Sequence, residues 1–413
     1  MNSEKLNRRV AAISAAAIAV LFSGHALQTI LPYTTYIILM AAAVTLPFTA
    51  NDIARKNLNL ARSALLAITA MTALTLIKEL GQYYLTYAFM LAIVFVAFRI
   101  TQSYSFDTVM NIFLKLMTLV TLVSLVCYIL LNTTSMLDWL PRYENVNGAE
   151  YGVGVIYNYI VDVPERNCGM FWEPGMFATF LTYSIVLEIA FNKGKIHVFR
   201  LVVYSFGIIT ANSTAGFVLL LLAAVLLLAR SSSDKVRYYI GSGMVIFILV
   251  FAPMVISNLD NIINSSSLAE NPYIQKLLSD NLTQTSRTVA FSVNIKIFLQ
   301  NPLLGAGIIP SEEQIKVVAD TSTSTFLLAA FGIPGILYTI FLIKGILRQQ
   351  DLNILTKVIL VAIFTIIVNK EPHQQILFTW CLIFYMLDND HLTINSSKEI
   401  IDGDTEKAQV HQS

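Results

Sequence analysis

The sequence predicts an all-α membrane protein, a polytopic bundle of about twelve transmembrane helices. Of its 413 residues, 56% are hydrophobic and 13% are charged, and its mean hydropathy is +0.65. A soluble protein carries roughly a quarter charged residues, so a soluble domain with a large core is excluded. The apolar residues run continuously over near-membrane length, whereas a transmembrane barrel would show short alternating segments. Helices are therefore expected, because each span must satisfy its own backbone hydrogen bonds in lipid.

The apolar runs give the order of the spans along the chain. Before the first long polar stretch they cover residues 10–28, 33–49, 63–80, 83–98 and 112–131. Between the two polar stretches they cover residues 169–191, 201–211, 214–229 and 238–256. The last three cover residues 323–343, 354–368 and 375–387.

These spans form one transmembrane domain over residues 1–388, with large loops near 132–167 and 257–321. A polar tail follows over residues 389–413. Short cytoplasmic loops are enriched in Lys and Arg. A cytoplasmic N-terminus places the following residues on that side: Lys5, Arg8, Arg9, Arg55, Lys56, Arg62, Arg99, Lys193, Lys195, Arg200, Arg230, Lys235, Arg237, Lys344 and Arg348. Both termini and the tail are therefore expected in the cytoplasm, and both large loops face outward.

Charge and cysteine content exclude several classes of function. The formal net charge is +1, which gives no basis for binding nucleic acid or another polyanion. Cys127, Cys168 and Cys381 lie far apart, so neither a disulfide framework nor a metal cluster is expected. The five histidines include no pair at metal-ligand spacing. We therefore expect no metal site.

The segment before the sixth span carries the first candidate site. Arg166 opens it, and Glu173-Pro174-Gly175 closes it. Proline disfavours helix in the preceding residue and suits the first helical position, so a helix is expected to begin near Pro174. The helix N-terminus favours phosphate, and Arg166 adds a bidentate phosphate donor. The structural alternative is an interfacial Arg and Trp that anchor the helix, with Glu173 as its cap.

Arg287 opens a second outward segment. Val289, Val293 and Ile297 repeat every four residues, which predicts a helix that can lie on the membrane surface. An Asn-Pro-Leu-Leu-Gly-x-Gly run over residues 301–307 ends it with a flexible turn. A surface helix with solvated charges is the alternative interpretation.

Two shorter polar stretches also face outward in this topology. Ser213 and Thr214 lie in the turn 210–216, where hydroxyl groups can contact sugar or phosphate, although an ordinary turn is the simpler interpretation. His373 follows Glu371 in the last outward loop, and a histidine beside a carboxylate suits acid–base work near neutral pH. A lone exposed histidine is more often inert.

In their order and spacing, these motifs resemble the O-antigen polymerase and ligase superfamily of bacterial envelope glycosyltransferases. An Arg precedes Gly-x-Phe-x-Glu-Pro-Gly-x-Phe-Ala over residues 166–178, and a Thr-x-x-Ser-x-x-Gly turn covers 210–216. An outward Arg is followed by Asn-Pro-Leu-Leu-Gly-x-Gly over 287–307. A Ser/Thr-rich segment then leads into Phe-Gly-Ile-Pro-Gly over 321–335. The N-terminal spans match only in hydropathy.

The resemblance implies a GT-C-like, metal-independent Wzy-type polymerase without a cofactor, at the outer face of the bacterial inner membrane. Its substrates would be undecaprenyl pyrophosphate-linked oligosaccharides in the lipid membrane, and the resemblance allows a chain-length regulator protein as a partner. Positive groups would stabilise the leaving pyrophosphate, and a base would accept the proton of the acceptor hydroxyl. The implied residues are Glu173 and Arg287 for catalysis, and Arg166, Arg287, Ser213, Thr214 and His373 for substrate binding.

One departure from the superfamily pattern bears on the reaction. O-antigen ligases carry a His-Asn-like pair before the Gly-Ile-x-Gly span, whereas residues 321–325 here read Thr-Ser-Thr-Ser-Thr. This favours a polymerase of O-antigen or a related surface polysaccharide over a ligase that transfers glycan to lipid A core. A lipid-linked glycan transporter or flippase is the alternative of another class. It predicts charged residues in the middle of spans, which this sequence lacks.

Overall fold

The computed structural model describes residues 3–45, 59–79, 84–137, 139–145, 148–192, 196–230, 287–308 and 322–394. Within these ranges the chain is mainly α-helical, as the sequence predicts. The expected span 238–256, the loop 257–321 apart from 287–308, and the tail beyond 394 lie outside the described residues.

Most helices follow the apolar runs closely, but the expected span 10–28 is interrupted, because its helix ends at Leu21 and a separate short helix begins at Leu27. The first six are α1 Ser3–Leu21, α2 Leu27–Ile30, α3 Pro32–Thr45, α4 Asn59–Lys78, α5 Tyr84–Ser103 and α6 Phe106–Thr133. Next come α7 Pro174–Val186, α8 Val198–Ala211, α9 Thr214–Arg230, α10 Arg287–Gln300 and α11 Thr323–Phe331. The last are α12 Leu337–Arg348, α13 Ile354–Val368 and α14 Leu377–Asp388.

Four helical segments in the described ranges are long and apolar enough to cross a membrane: Asn59–Lys78, Tyr84–Ser103, Phe106–Thr133 and Pro174–Phe191. The last comprises α7 and a π-helical turn, Leu187–Phe191. Shorter apolar helices accompany them, including α8, α9, α13 and α14. The count of about twelve spans stays a prediction.

The loop 132–167 contains a small sheet that the all-α prediction did not include. Strands β1 Arg142–Glu144, β2 Glu150–Val153 and β3 Asn158–Ile160 pair antiparallel in that order. Strands of three or four residues are too short to show a clear alternation in the sequence. The Tyr151 hydroxyl donates to the Trp172 carbonyl at 2.7 Å, so the sheet packs on the segment that leads into α7.

The expected span 323–343 is interrupted. Helix α11 ends at Phe331, Gly332 has a φ of 69°, and a 3₁₀ turn, Ile333–Ile336, precedes α12. A Cβ atom on Gly335 would collide with the Leu327 carbonyl, so the chain can make this turn only with glycine there. The Ser/Thr-rich segment consequently opens a short separate helix instead of a long span.

Helix α7 lies at the centre of the fold. All of its residues are buried, and it packs against α6, α8 and α9. Phe180 contacts the rings of Phe171 and Phe378 with centroid separations of 4.6 and 5.6 Å. Because α7 is enclosed by protein, its N-terminus and the residues around it form an interior site.

Several of the basic residues expected in the cytoplasm gather at the opposite end of the bundle. Buried Glu188 lies 3.2 Å from Arg200 and 2.7 Å from the His197 ring. Arg348 pairs with Asp390, and the loop after α12 contacts Arg230. Arg166, Glu173 and His373 lie at the other end, near the N-terminus of α7.

Candidate functional site

The position of Arg166 is fixed by its neighbour Asn167. Asn167 is fully buried, and its Oδ1 accepts from Ser124 Oγ at 2.6 Å and from the Gly169 amide at 3.0 Å. Its backbone and side-chain amides both donate to Thr210 at the end of α8. The Arg166 Nε is buried, and among the described residues it has no hydrogen-bond partner. The guanidinium therefore keeps a donor for a ligand.

Glu173 is the N-cap residue of α7, and Pro174 takes the first helical position, as the sequence predicts. Its φ of −154° and ψ of 158° are extended, and its side chain makes no capping hydrogen bond to the described amides of α7. The capping alternative is therefore not supported by this geometry. The carboxylate is partly buried at the positive end of the helix dipole.

Arg166 and Glu173 approach the same buried thiol, that of Cys168. Burial is the largest effect and raises the pKa of Cys168 to about 12. The Glu173 carboxylate raises this pKa further, while the Arg166 guanidinium lowers it. The charges of these two residues, seven positions apart, therefore act on Cys168 with opposite sign, in the segment just before the first turn of α7.

The loop between α13 and α14 reaches the same place. Lys370 and Glu371 are 3% exposed, and His373 and Gln374 are fully buried. The Lys370 ammonium donates to the carbonyl of Gly175, in the first turn of α7, at 2.8 Å. This loop is therefore part of the protein interior, although its sequence is that of an exposed turn.

His373 has one ring nitrogen engaged and one open. Its Nδ1 lies 2.8 Å from Thr379 Oγ1 and 3.4 Å from the Tyr183 hydroxyl. Its Nε2 is buried and has no partner in the described part of the chain. Burial, and then the charge of Lys370, lower the pKa of His373 to about 3. The ring is neutral at pH 7, which suits hydrogen bonding to a substrate better than proton transfer.

The Ser/Thr-rich segment is tied to this loop through Thr323. The Thr323 hydroxyl lies 2.8 Å from both the Glu371 carbonyl and Gln374 Oε1, and it accepts from the His373 amide at 2.7 Å. In the α11 turn, Ser322 Oγ bonds Asn369 at 3.1 Å. The N-terminus of α11 and the α13–α14 loop therefore form one hydrogen-bonded unit.

Arg287 is the first residue of α10, a helix that packs against α11. Asn294 of α10 is buried, and its amide donates to Thr325 Oγ1 at 3.3 Å. The seven residues from Arg287 to Asn294 correspond to about 10 Å along the helix axis. The predicted helix is confirmed, and its backbone runs from Arg287 toward the Ser/Thr-rich segment.

The turn with Ser213 and Thr214 lies beside the Arg166 segment, because Thr210 bonds Asn167. Ser213 is buried, and its Oγ accepts from the Gly216 amide at 3.4 Å, so it stabilises the start of α9. Thr214, by contrast, is exposed. Of the two, Thr214 stays the better candidate for a ligand contact.

Sequence reasoning assigned no role to several residues that the fold brings to the site: Asn167, Thr323, Lys370 and Gln374. No local signal distinguished residues 369–374, because a charged run between two apolar helices is also typical of an exposed loop. Among the described residues, no group of three or more His, Cys, Asp or Glu side chains could hold a metal ion.

Comparison with known proteins identifies one family. The model of a family described as WcaD colanic acid polymerase matches residues 15–294, well over half of the chain. The matched range includes the Arg166–Glu173 segment, the turn 210–216 and the start of α10, but not the α13–α14 loop. No curated protein matches the chain.

Proposed function

Because the chain belongs to the WcaD colanic acid polymerase family, we propose that it polymerises undecaprenyl pyrophosphate-linked oligosaccharide repeat units. Family membership itself makes the protein a polysaccharide polymerase, and its apolar helices make it a membrane protein. The lipid carrier, the outward-facing site and the roles of individual residues belong to the proposal. The product is a surface polysaccharide of the bacterial envelope.

In the proposed reaction, a hydroxyl of the incoming unit attacks the anomeric carbon of the growing chain. A carbon–oxygen bond forms there, and the bond from the same carbon to the pyrophosphate oxygen breaks. The hydroxyl proton passes to a base, and the carrier leaves as its pyrophosphate. The protein must therefore supply positive groups near the leaving oxygen and a carboxylate near the hydroxyl.

The arrangement of Arg166 and Glu173 around Cys168 carries the proposal. Arg166 has a buried Nε donor with no partner in the described residues, and Glu173 lies at the entrance of α7. Arg166 and the first amides of α7 would bind the pyrophosphate, and Glu173 would accept the proton. Arg287, at the start of α10, is the second residue proposed to bind the pyrophosphate. Thr214 and the neutral His373 are proposed sugar or phosphate contacts.

We place this end of the bundle outside the inner membrane and both termini inside. The support is the position of Arg200, Arg230 and Arg348 at the end opposite the α7 N-terminus. Positive residues are enriched in cytoplasmic loops. The site would then meet substrates that have already been moved across the membrane.

A deletion of the gene tests the function. Envelope glycans and carrier-linked glycans from the deletion strain are separated on gels and identified by mass spectrometry. A polymerase predicts loss of long chains while single repeat units persist on the carrier or on lipopolysaccharide. Absence of every transferred unit, with full-length chains still on the carrier, would instead indicate a ligase. Single units confined to the cytoplasmic leaflet would indicate a flippase.

A further inference from the structure

Gly175, in the first turn of α7, lies in close contact with side chains of the α13–α14 loop. A Cβ atom built there would lie 2.8 Å from Glu371 Oε1, 2.9 Å from Lys370 Nζ and 3.0 Å from Lys370 Cε. These separations are shorter than van der Waals contact. These atoms are the ends of flexible side chains, so they could shift to admit a Cβ atom. Lys370 and Glu371 are nevertheless in direct contact with the Glu-Pro-Gly segment that carries Glu173.

The charge of Lys370 lies in an electrostatically unusual place. The N-terminus of a helix carries a partial positive charge, so a cation beside it is unfavourable. Burial of an ammonium group adds a desolvation cost. A neutral donor such as an amide would satisfy the Gly175 carbonyl at a lower cost. Lys370 is 3% exposed, and the Glu371 carboxylate meets the same point beside Gly175, so the buried ammonium has a negative group close by.

The ionisable groups around Lys370 indicate what its charge can do. Glu371 and His373 lie on its own loop, and Glu173 lies two residues before its acceptor, Gly175. His373 carries no charge, and the acidic groups on these two elements are Glu371 and Glu173. A nearby cation favours the carboxylate form of an acid over the protonated form.

We propose that Lys370 is a positioning residue of the polymerase site, which holds the Glu-Pro-Gly corner in place and keeps Glu173 ionised through its charge. The second half of this statement rests on the proposed function, whereas the first half concerns the fold alone. Lys370 acts through Gly175 and Glu173 and need not touch the glycan.

Three substitutions separate the hydrogen bond from the charge. Lys370→Arg keeps both, Lys370→Gln keeps a donor without the charge, and Lys370→Met keeps neither. Lys357 provides a matched control, because its Nζ donates to the Leu347 carbonyl at 2.9 Å at the opposite end of the bundle. Lys357→Met should therefore behave as wild type in both assays.

The first assay is hydrogen exchange of the amides at the start of α7 in the purified full chain. Lys370→Met should exchange at least tenfold faster there than wild type, and Lys370→Arg should not. Unchanged exchange in Lys370→Met would overturn the positioning role, whatever reaction the protein performs. This assay needs no substrate, so its result is independent of the proposed function.

The second assay is the pH dependence of polymerisation with purified carrier-linked repeat units. Loss of a nearby cation should move the acidic limb of the rate profile up by about one pH unit in Lys370→Gln. Lys370→Arg should leave the limb in place. A Lys370→Gln enzyme with the wild-type limb would overturn the charge role. If wild type itself forms no polymer, the proposed function fails, while the exchange result still stands.

Discussion

The backbone amide of Asn167 donates to the Thr210 carbonyl at 3.0 Å, and its side-chain amide donates to the Thr210 hydroxyl at the same distance. This double contact joins the segment that carries Arg166 to the turn between α8 and α9. Two motifs that are more than forty residues apart in the sequence are thereby held as one unit. The contact makes Asn167 a structural support for Arg166.

Asn167→Ala should lower both stability and polymer yield. Removal of the buried side-chain amide takes away the acceptor of the Ser124 hydroxyl and of the Gly169 amide, which costs about 1–3 kcal/mol per unsatisfied group. Thermal unfolding in detergent measures the loss. Asn132→Ala is the control, because Asn132 is exposed and also donates to a backbone carbonyl. Equal melting temperatures for the two variants would contradict the supporting role.

Arg166→Ala and Arg287→Ala should each abolish long chains at normal protein levels. Loss of a phosphate-binding guanidinium from a partly desolvated site should slow the reaction by about a hundredfold or more. Substitution of either arginine by lysine should retain only part of the chain synthesis, since an ammonium lacks the planar arrangement of donors of a guanidinium. Arg142→Ala is the control, because Arg142 is about half exposed, 3.8 Å from Glu150. Wild-type chains from either alanine variant would remove that arginine from the site.

Glu173→Gln distinguishes a base from a structural residue. Glutamine keeps the size and hydrogen bonding of glutamate but cannot accept the proton, so polymer should be lost at equal expression. A structural role predicts a cost of about 1 kcal/mol in stability, with chain synthesis mostly retained. In vivo chain length and the melting temperature are measured on the same variant. Chains of wild-type length from Glu173→Gln would exclude Glu173 as the base and leave only the arginines as proposed catalytic groups.

The stability of the protein should depend on pH through His373. Its folded pKa is about 3, compared with an ordinary value of 6.5. Below pH 6.5 the unfolded state binds a proton that the folded state does not, so stability falls as the pH falls, by about 1.4 kcal/mol per unit. His373→Gln should lose less stability than wild type between pH 7 and pH 5. His391→Gln is the control, because His391 is exposed, and it should lose as much stability as wild type over this pH range. If His373→Gln also lost as much stability as wild type, His373 would be accessible to water.

Reporter fusions test the orientation. A periplasm-active reporter inserted at Glu150, in the small sheet, should be active, and one fused after α9 at Arg230 or at the C-terminus should be inactive. A cytoplasm-active reporter should give the reverse pattern. An inactive periplasmic reporter at Glu150 would place the whole candidate site on the cytoplasmic side and overturn the proposed access to translocated substrates.

Local signals in the sequence determined the class of protein and the positions of most helices. The expected span 354–368 coincides with α13, and the Glu-Pro order placed the start of α7 at Pro174. The helix that begins at Arg287 was also predicted. These features depend on apolar run length and on the conformational limits of proline, which act over a few residues and can be read from one chain.

The tertiary structure decided what surrounds those elements. Lys370 reaches Gly175 across 195 positions, His373 is buried, and the tenth expected span breaks after Gly332. Burial and hydrogen bonding depend on which helices pack together, and a charged loop has the same local pattern whether it meets water or α7. The sequence therefore identified Arg166 and Glu173 as candidates, whereas only the packing of α7 against the α13–α14 loop brought Lys370 to Gly175, two residues after Glu173.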